Sequence, residues 1–406
     1  MENDSLRCCI SPLEETFYNL TNVQLMMSTG CNLSCRYCYQ DDKKNKNMSK
    51  EVMESFIDFL CDTNPDVPVL IDFFGGEPLV NWPIMKYGLE LMDDLGLTEK
   101  KLYFMVSTNG TLITDEVAEY FRKYNVHINI SIDGTPEKHN YERNNSYDKT
   151  IEGLHKLYDH GLCRDITARL TFPNNYFGSI EEHVRSVLNL GIPEVTFAAI
   201  LAGGITDEEL ATYEESMYRT AILILKYVEY GLAVIPKYMR NFIMMEHINQ
   251  DFKPRQPCHF KTNRGIVVDT DGVLFGCSIV PNSDFKEYSS KVYSDTVIGN
   301  VKYGIAYNRN IGDKYPCTTA NAKNDCINCE AKSMCLPCAM ENMLSSTRDY
   351  HLVADDKCKL IKARYRVALR IHNWILRNKF GSVAMSRLKE NHLLGEDKYS
   401  ISSLII

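Results

Sequence analysis

Residues 23–40 read VQLMMSTGCNLSCRYCYQ. The first six form an apolar, β-like run, and close behind it Cys31, Cys35 and Cys38 fall in a CxxxCxxC spacing. A thiol group on the loop leaving a strand stands at the C-terminal edge of a parallel sheet, where α/β architectures bind their ligands. Thiolates suit zinc or iron, and a cubane iron–sulfur cluster takes one ligand per iron, normally four cysteines. Three cysteines leave one iron open, and an open position is what separates a reactive metal site from a structural one. The alternative is a zinc site completed by a distant His or Cys.

Similar apolar runs recur at 69–74, 102–107, 126–132, 166–172 and 195–200, so six strands are expected. Between them, 50–61, 115–123 and 180–190 carry apolar residues at helical spacing, with Thr114 placed to cap the second. The βα repetition is too short for an eight-unit barrel, and a partial (β/α)6 TIM-like barrel is the expected fold. A long helical stretch follows at 207–230, and then 254–358 turns rich in Gly, Asp, Asn and Cys. Small regions of that kind are usually held by metal. The organisation expected is an N-terminal segment (1–19), the barrel (20–205), a helical connector (206–250), a Cys-rich domain with little regular structure (251–360), and a C-terminal helix and tail (361–406).

Composition narrows the function. With 406 residues, 44% of them hydrophobic, the chain can bury one large core and a smaller second one. The first twenty residues carry acidic and polar breaks where a secretion signal needs a cationic start and an apolar run, and no apolar stretch is long enough to span a bilayer. A cytoplasmic location is therefore expected. There thiols stay reduced, so fifteen cysteines read as metal ligands rather than disulfides. A net charge of −8 without a long basic run argues against nucleic acid or an anionic membrane as partner.

The cysteine loop, with aromatic Tyr37 ahead of its last cysteine, resembles that of the radical S-adenosylmethionine (SAM) superfamily. Three more segments match in order: FFGGEPLV at 73–80, STNGTLI at 107–113 and SIDGTPEKHNYERNN at 131–145. The resemblance covers roughly residues 20–210. It implies that SAM fills the open iron through its amino and carboxylate groups. Gly75 and Gly76 would let backbone approach the methionine end, and Glu77 would accept from its ammonium. Arg143 and Ser131 would bind the carboxylate, Tyr37 and Leu170 would contact adenine, and Asn109 joins the cofactor-binding set. Read without the resemblance, Arg143 is an ion-pair partner of Glu142 or Asp133, and Ser131 an ordinary strand residue. The implied chemistry is one-electron cleavage of SAM to a 5′-deoxyadenosyl radical that abstracts a substrate hydrogen.

Cys258, then Gly272 and Cys277, then CINCEAKSMCLPC at 326–338 and finally Cys358 resemble the SPASM domain, the auxiliary-cluster extension of peptide-modifying radical SAM enzymes. The final gap of the central motif is two residues where that family usually has three. Carried over, Cys326, Cys329, Cys335 and Cys358 would hold one 4Fe–4S cluster, and Cys258, Cys277 and Cys338 a second. Cys317 or an open iron would complete the second, giving three clusters in all. A pair of zinc knuckles is the alternative. Cys8, Cys9, Cys61 and Cys163 fit no ligand spacing.

The resemblance implies a ribosomally made peptide as substrate and a thioether or carbon–carbon crosslink as product, with flavodoxin or ferredoxin as electron donor. The runner-up is formylglycine formation by an anaerobic sulfatase maturase. Those enzymes typically carry Asp directly after the cysteine matching Cys277, where this chain has Ser278, and QTNG in place of STNG. A non-catalytic, metal-held scaffold is the third reading. About twenty residues precede the first expected strand, so leader recognition falls to a separate protein, to the SPASM region, or to none. His127, His139 and His259 lie near the motifs, and none is nominated as a general base.

Overall fold

A computed structural model of the chain describes residues 20–38, 45–61, 68–98, 102–201, 204–232, 265–277, 279, 281, 290–305, 326, 328–332, 335, 338, 340 and 352–378. Cys258, His259, Ser278 and Cys317, together with the segments 1–19 and 379–406, lie outside these residues.

Strand β1 (Asn22–Ser28) alternates Val23, Leu25 and Met27, which are fully buried in the main core, with Gln24, Met26 and Ser28 on the other face. The same alternation carries through β2 (Val69–Gly75), β3 (Leu102–Thr108), β4 (His127–Ser131), β5 (Ile166–Pro173) and β6 (Glu194–Ile200). All six are parallel and pair in sequence order. Strands with this order and connection type wind in one sense, so their helices pack on one face and leave the other free to face a lumen.

The crossovers are α1 (Lys50–Cys61), α2 (Trp82–Asp94), α3 (Asp115–Lys123), the pair α4 (Pro136–Glu142) and α5 (Tyr147–Asp159), and α6 (Ile180–Leu188). Thr114 accepts from the Val117 nitrogen and starts α3 as its side chain suggested. The long α7 (Asp207–Glu229) opens with a capping box in which Thr206 and Glu209 satisfy each other's backbone nitrogens. Among the described residues no helix is long and apolar enough to cross a membrane.

Ahead of the last helix, the described regular structure of the Cys-rich part is confined to short strands and one short helix. Strand β7 (Gly265–Val268) pairs in parallel with β1, and the antiparallel strands β8 (Val273–Phe275), β9 (Val297–Asn300) and β10 (Gly304–Ile305) continue outward from it. A short α8 (Ser290–Thr296) leads into β9. The result is one ten-stranded sheet in the order β10-β9-β8-β7-β1-β2-β3-β4-β5-β6. Strand β7 is four residues long and has no alternation to announce it, since all four residues are buried.

The last helix, α9 (Asp355–Arg377), packs along α7. Arg364 donates to the Tyr213 hydroxyl at 2.9 Å, Arg366 pairs with Glu214, and Arg370 pairs with Glu215 while lying over the Tyr218 ring. This docking fixes Cys358, in the first turn of α9.

Candidate active site

The loop after β1 is held at its base before any cysteine appears. Ser28 donates to the Asn47 side chain at 2.6 Å and accepts from the Gly30 nitrogen, and Thr29 pairs with Lys46. The loop after β2 then lies directly on it: Gly76 donates to the Ser28 carbonyl at 2.8 Å and Glu77 to the Gly30 carbonyl at 2.9 Å. Gly75 stands at φ +137°, and a Cβ there would fall on the Ser28 oxygen; one on Gly76 would fall on the Gly30 oxygen. The expected reason for these glycines was ligand approach. The structure supplies a nearer one, contact between the two loops themselves.

Glu77 is 1% exposed. Its carboxylate accepts from the Leu79 nitrogen, the Thr108 hydroxyl and the Asn109 nitrogen. Burial raises it to about 7 against the pull of those donors. The group expected to receive an ammonium is already supplied with three internal partners, and here it locks the end of β2 to the end of β3.

Asp133 is the residue the sequence undervalued. It entered as a possible ion-pair partner of Arg143, yet it is fully buried and gathers three elements. One carboxylate oxygen accepts from the Tyr37 hydroxyl of the cysteine loop and from Arg143 Nε at 2.7 Å; the other accepts from the Thr171 nitrogen of β5 at 2.7 Å. Burial pushes this carboxyl up, but Arg143 and Lys138 outweigh it and hold it below the usual range. Of the two pairings open to Arg143, the structure selects Asp133, as a buried pair. Arg143 uses only Nε; among the described residues its two terminal nitrogens meet no hydrogen-bond partner. They remain available to a planar oxyanion.

The histidines have other work. His139 is buried, faces the Asp133 nitrogen with Nδ1 and Ser146 with Nε2, and is lowered to about 3 by burial and by Arg143. His127 contacts Thr167 at the opposite, N-terminal end of its strand and is lowered to about 4 by burial. Both are neutral at physiological pH. Lys138, within the 131–145 segment but given no role there, is buried with its ammonium on the Thr171 carbonyl and over the Phe172 and Tyr176 rings.

Nine of the eleven cysteines expected as metal ligands lie among the described residues. Cys35 has its thiol raised by burial, opposed by Arg143 and raised further by Cys38 and Cys31, so the three thiols stand within electrostatic reach of one another. Cys335 is raised to about 11 by burial and then by Cys358, Cys326 and Cys329, so those three thiols act on it electrostatically. Cys277 and Cys338 pack against a separate apolar group formed by Met26, Phe74, Val267, Phe275 and Met340. Met26 and Phe74 lie on the helix-free face of β1 and β2, so this third thiol group adjoins the lumen. Among the described residues no three thiol, imidazole or carboxyl groups converge as one metal ion requires. A cubane offers one iron to each thiolate and needs no such convergence.

Ser131 ends β4 on the lumen side, opposite in direction to Ile130 and Ile132. Leu170 does not join the site. It is buried with Ile166, Ala168 and Phe172 on the helix face of β5, because strand alternation sends it the other way from Thr171. Its expected contact with adenine is corrected accordingly.

The family model described as the radical SAM superfamily matches residues 25–187. This stretch is a radical SAM domain. Around it, the chain is 26% identical over 294 residues to the radical SAM cyclopropyl synthase TigE of Paramaledivibacter caminithermalis, covering 65% of this chain and 58% of that protein. It is 36% identical over 146 residues to a serine-type anaerobic sulfatase-maturating enzyme of Bacteroides thetaiotaomicron, covering 32% and 35%. The chain thus spans less than two thirds of the length of these curated relatives. Among solved structures, anSMEcpe with bound AdoMet superposes with a TM-score of 0.71 at 18% identity, over 90% of this chain and 98% of that one. SuiB of Streptococcus suis, bound to precursor peptide SuiA, superposes at 0.57 and 14%, over 85% and 77%. At these identities the two structures report on fold. The radical SAM fold is common to all three, and the radical SAM domain here contributes β1 to β5 and the intervening helices.

Proposed function

We propose that the chain is a radical SAM enzyme that modifies a peptide, joining a cysteine sulfur or a carbon of a ribosomally made precursor to another carbon. The observation that carries this is the buried guanidinium of Arg143, neutralised through Nε by Asp133 and leaving its fork unpartnered beside three gathered thiols. The donor set suits a 4Fe–4S cluster on Cys31, Cys35 and Cys38, with the carboxylate of SAM on Arg143 and Ser131 and its adenosine near Tyr37. When bound, that pair supplies one-electron cleavage of the sulfonium and a carbon radical that abstracts hydrogen. The protein's own part is placement: Gly75 and Gly76 seat the cysteine loop, Glu77 braces it against β3, and Asp133 holds Tyr37 and Arg143 in one orientation.

Cys326, Cys329, Cys335 and Cys358 would hold one auxiliary 4Fe–4S cluster. Cys277 and Cys338, with Cys258 and either Cys317 or an open iron, would hold a second against the lumen. A cluster held by Cys277 and Cys338 would supply an electron acceptor for a net oxidative reaction, and a flavodoxin or ferredoxin would be the electron donor to the SAM-binding cluster. TigE, a radical SAM cyclopropyl synthase aligned over the larger share of the chain, favours carbon–carbon bond formation. The higher identity to the sulfatase-maturating enzyme supports formylglycine formation in a sulfatase as a second reading of equal standing.

The test is anaerobic reconstitution with iron and sulfide, followed by reduction in the presence of SAM. About twelve irons per chain, four for each of three clusters, and 5′-deoxyadenosine lost in Cys35→Ala are the expected outcomes. Zinc in place of iron, or no deoxyadenosine from loaded protein, would return the chain to the scaffold reading. Mass spectrometry then separates the substrates: loss of two hydrogens from a Cys-bearing precursor peptide supports the first reading, and an aldehyde on a sulfatase-motif peptide the second.

A further inference from the structure

We propose that the side-chain amide of Asn109 is a hydrogen-bond donor to the sulfur of Cys31 and raises the reduction potential of the cluster this sulfur holds, an inference that rests on the iron–sulfur reading of Cys31, Cys35 and Cys38. Asn109 stands just beyond β3, and its backbone is fixed at both ends. Its nitrogen donates to Glu77 at 2.7 Å and its carbonyl accepts from the Thr150 hydroxyl at 3.0 Å.

The orientation of the amide is set by chemistry. Its oxygen accepts from the Thr111 nitrogen at 2.9 Å and from the Thr111 hydroxyl at 2.7 Å. Two donors on one end determine which atom is oxygen, an assignment that an amide's shape alone leaves open. Nδ2 is thereby turned the other way, with two hydrogens to place. One goes to the Asn32 side-chain oxygen Oδ1 at 2.9 Å, and the other faces Cys31 Sγ at 4.0 Å. The same sulfur accepts from the Leu33 nitrogen at 3.4 Å.

Asn109 is buried, so water does not compete strongly for this hydrogen. A donor on a cluster sulfur favours the state carrying more negative charge, which is the reduced one. Asn109 therefore makes the first electron easier to add. Thr111 contributes through Asn109 by fixing the amide's orientation.

The experiment is a redox titration of the reconstituted full-length chain, monitored by electron paramagnetic resonance on the signal absent from Cys35→Ala. Asn109→Leu keeps the approximate shape and removes the donor; its midpoint should move to a more negative potential while iron content stays at the wild-type level. Thr111→Val should move it in the same direction by less. The exchangeable-deuteron coupling assigned to this hydrogen should disappear in Asn109→Leu. An unchanged midpoint in Asn109→Leu with full iron overturns the proposal. If that variant loses its cluster, an unchanged midpoint in cluster-loaded Thr111→Val overturns it instead. A wild-type chain that assembles no cluster on these three cysteines would overturn both this inference and the reading beneath it.

Discussion

Glu77 holds the backbone nitrogen of Asn109 at 2.7 Å, and through that bond the end of β2 is tied to the end of β3. The same carboxylate accepts from the Thr108 hydroxyl and the Leu79 nitrogen, so three donors converge on one buried group. An amide in its place has only one accepting oxygen. Glu77→Gln should lower stability by about 1–3 kcal/mol, the cost of leaving a buried donor unmet. Chemical denaturation would show this as a lower midpoint with an unchanged slope.

Gly76 is required by the chain itself. Because a Cβ there would land on the Gly30 oxygen, Gly76→Ala must displace the loop that carries Cys31. The expected loss is about 1–3 kcal/mol of stability, together with incomplete iron incorporation in the first cluster. Iron analysis alongside the melting temperature of the reconstituted protein tests both, and an unchanged iron content would refute the packing argument.

Asp133 and Arg143 separate folding from binding. Asp133→Asn leaves the buried Arg143 charge without its partner and should cost about 3–5 kcal/mol. Arg143→Lys keeps a positive charge but cannot present a fork, so the fold should survive while SAM affinity falls at least about tenfold. Equilibrium binding of SAM to the reconstituted chain is the measurement, and equal affinity in Arg143→Lys would exclude the carboxylate role.

Asp72 gives a pH signature. It lies on β2, 5% exposed, with one oxygen accepting from Gln24 and the other without a partner among the described residues. Burial raises its carboxyl from 3.8 to about 7, so the folded chain holds this proton more tightly than the unfolded chain. That contribution to stability is complete below about pH 4 and is lost as pH rises through about 7. Asp72→Asn, which cannot ionise, should exceed wild type at pH 8 by at most about 4 kcal/mol, with the gap closing toward pH 4. Melting curves at the two pH values decide it.

Much of the barrel was legible because its signals are local. Helical spacing at 50–61 and 115–123 returned Lys50–Cys61 and Asp115–Lys123, and the apolar runs returned six strands with ends shifted by at most one residue. The C-terminal helix begins at Asp355, inside the segment read as the Cys-rich domain (251–360). What stayed hidden was non-local. The pairing of β7 with β1 joins Asn22 to Gly265 and leaves no trace in either segment alone.

In the site, the cysteines announced themselves by residue type and spacing, whereas the contacts around them did not. The roles of Gly75, Gly76, Glu77 and Leu170 depend on which neighbour each side chain meets, and motif position does not encode that. Asp133 was the clearest shortfall: its ten-residue separation from Arg143 across α4 was visible, but its burial was not.

Strand β1 is flanked by β2 on one side and β7 on the other. The strand that launches the first cysteine loop therefore reaches its full complement of backbone partners only when residues 265–268 arrive, far later in synthesis. A chain cut before Gly265 would leave the inner edge of β1 as a bare template for other chains and should aggregate. Ribosome-bound intermediates face the same exposure until the final third emerges, so this protein cannot mature one module at a time and should lean on chaperones during translation.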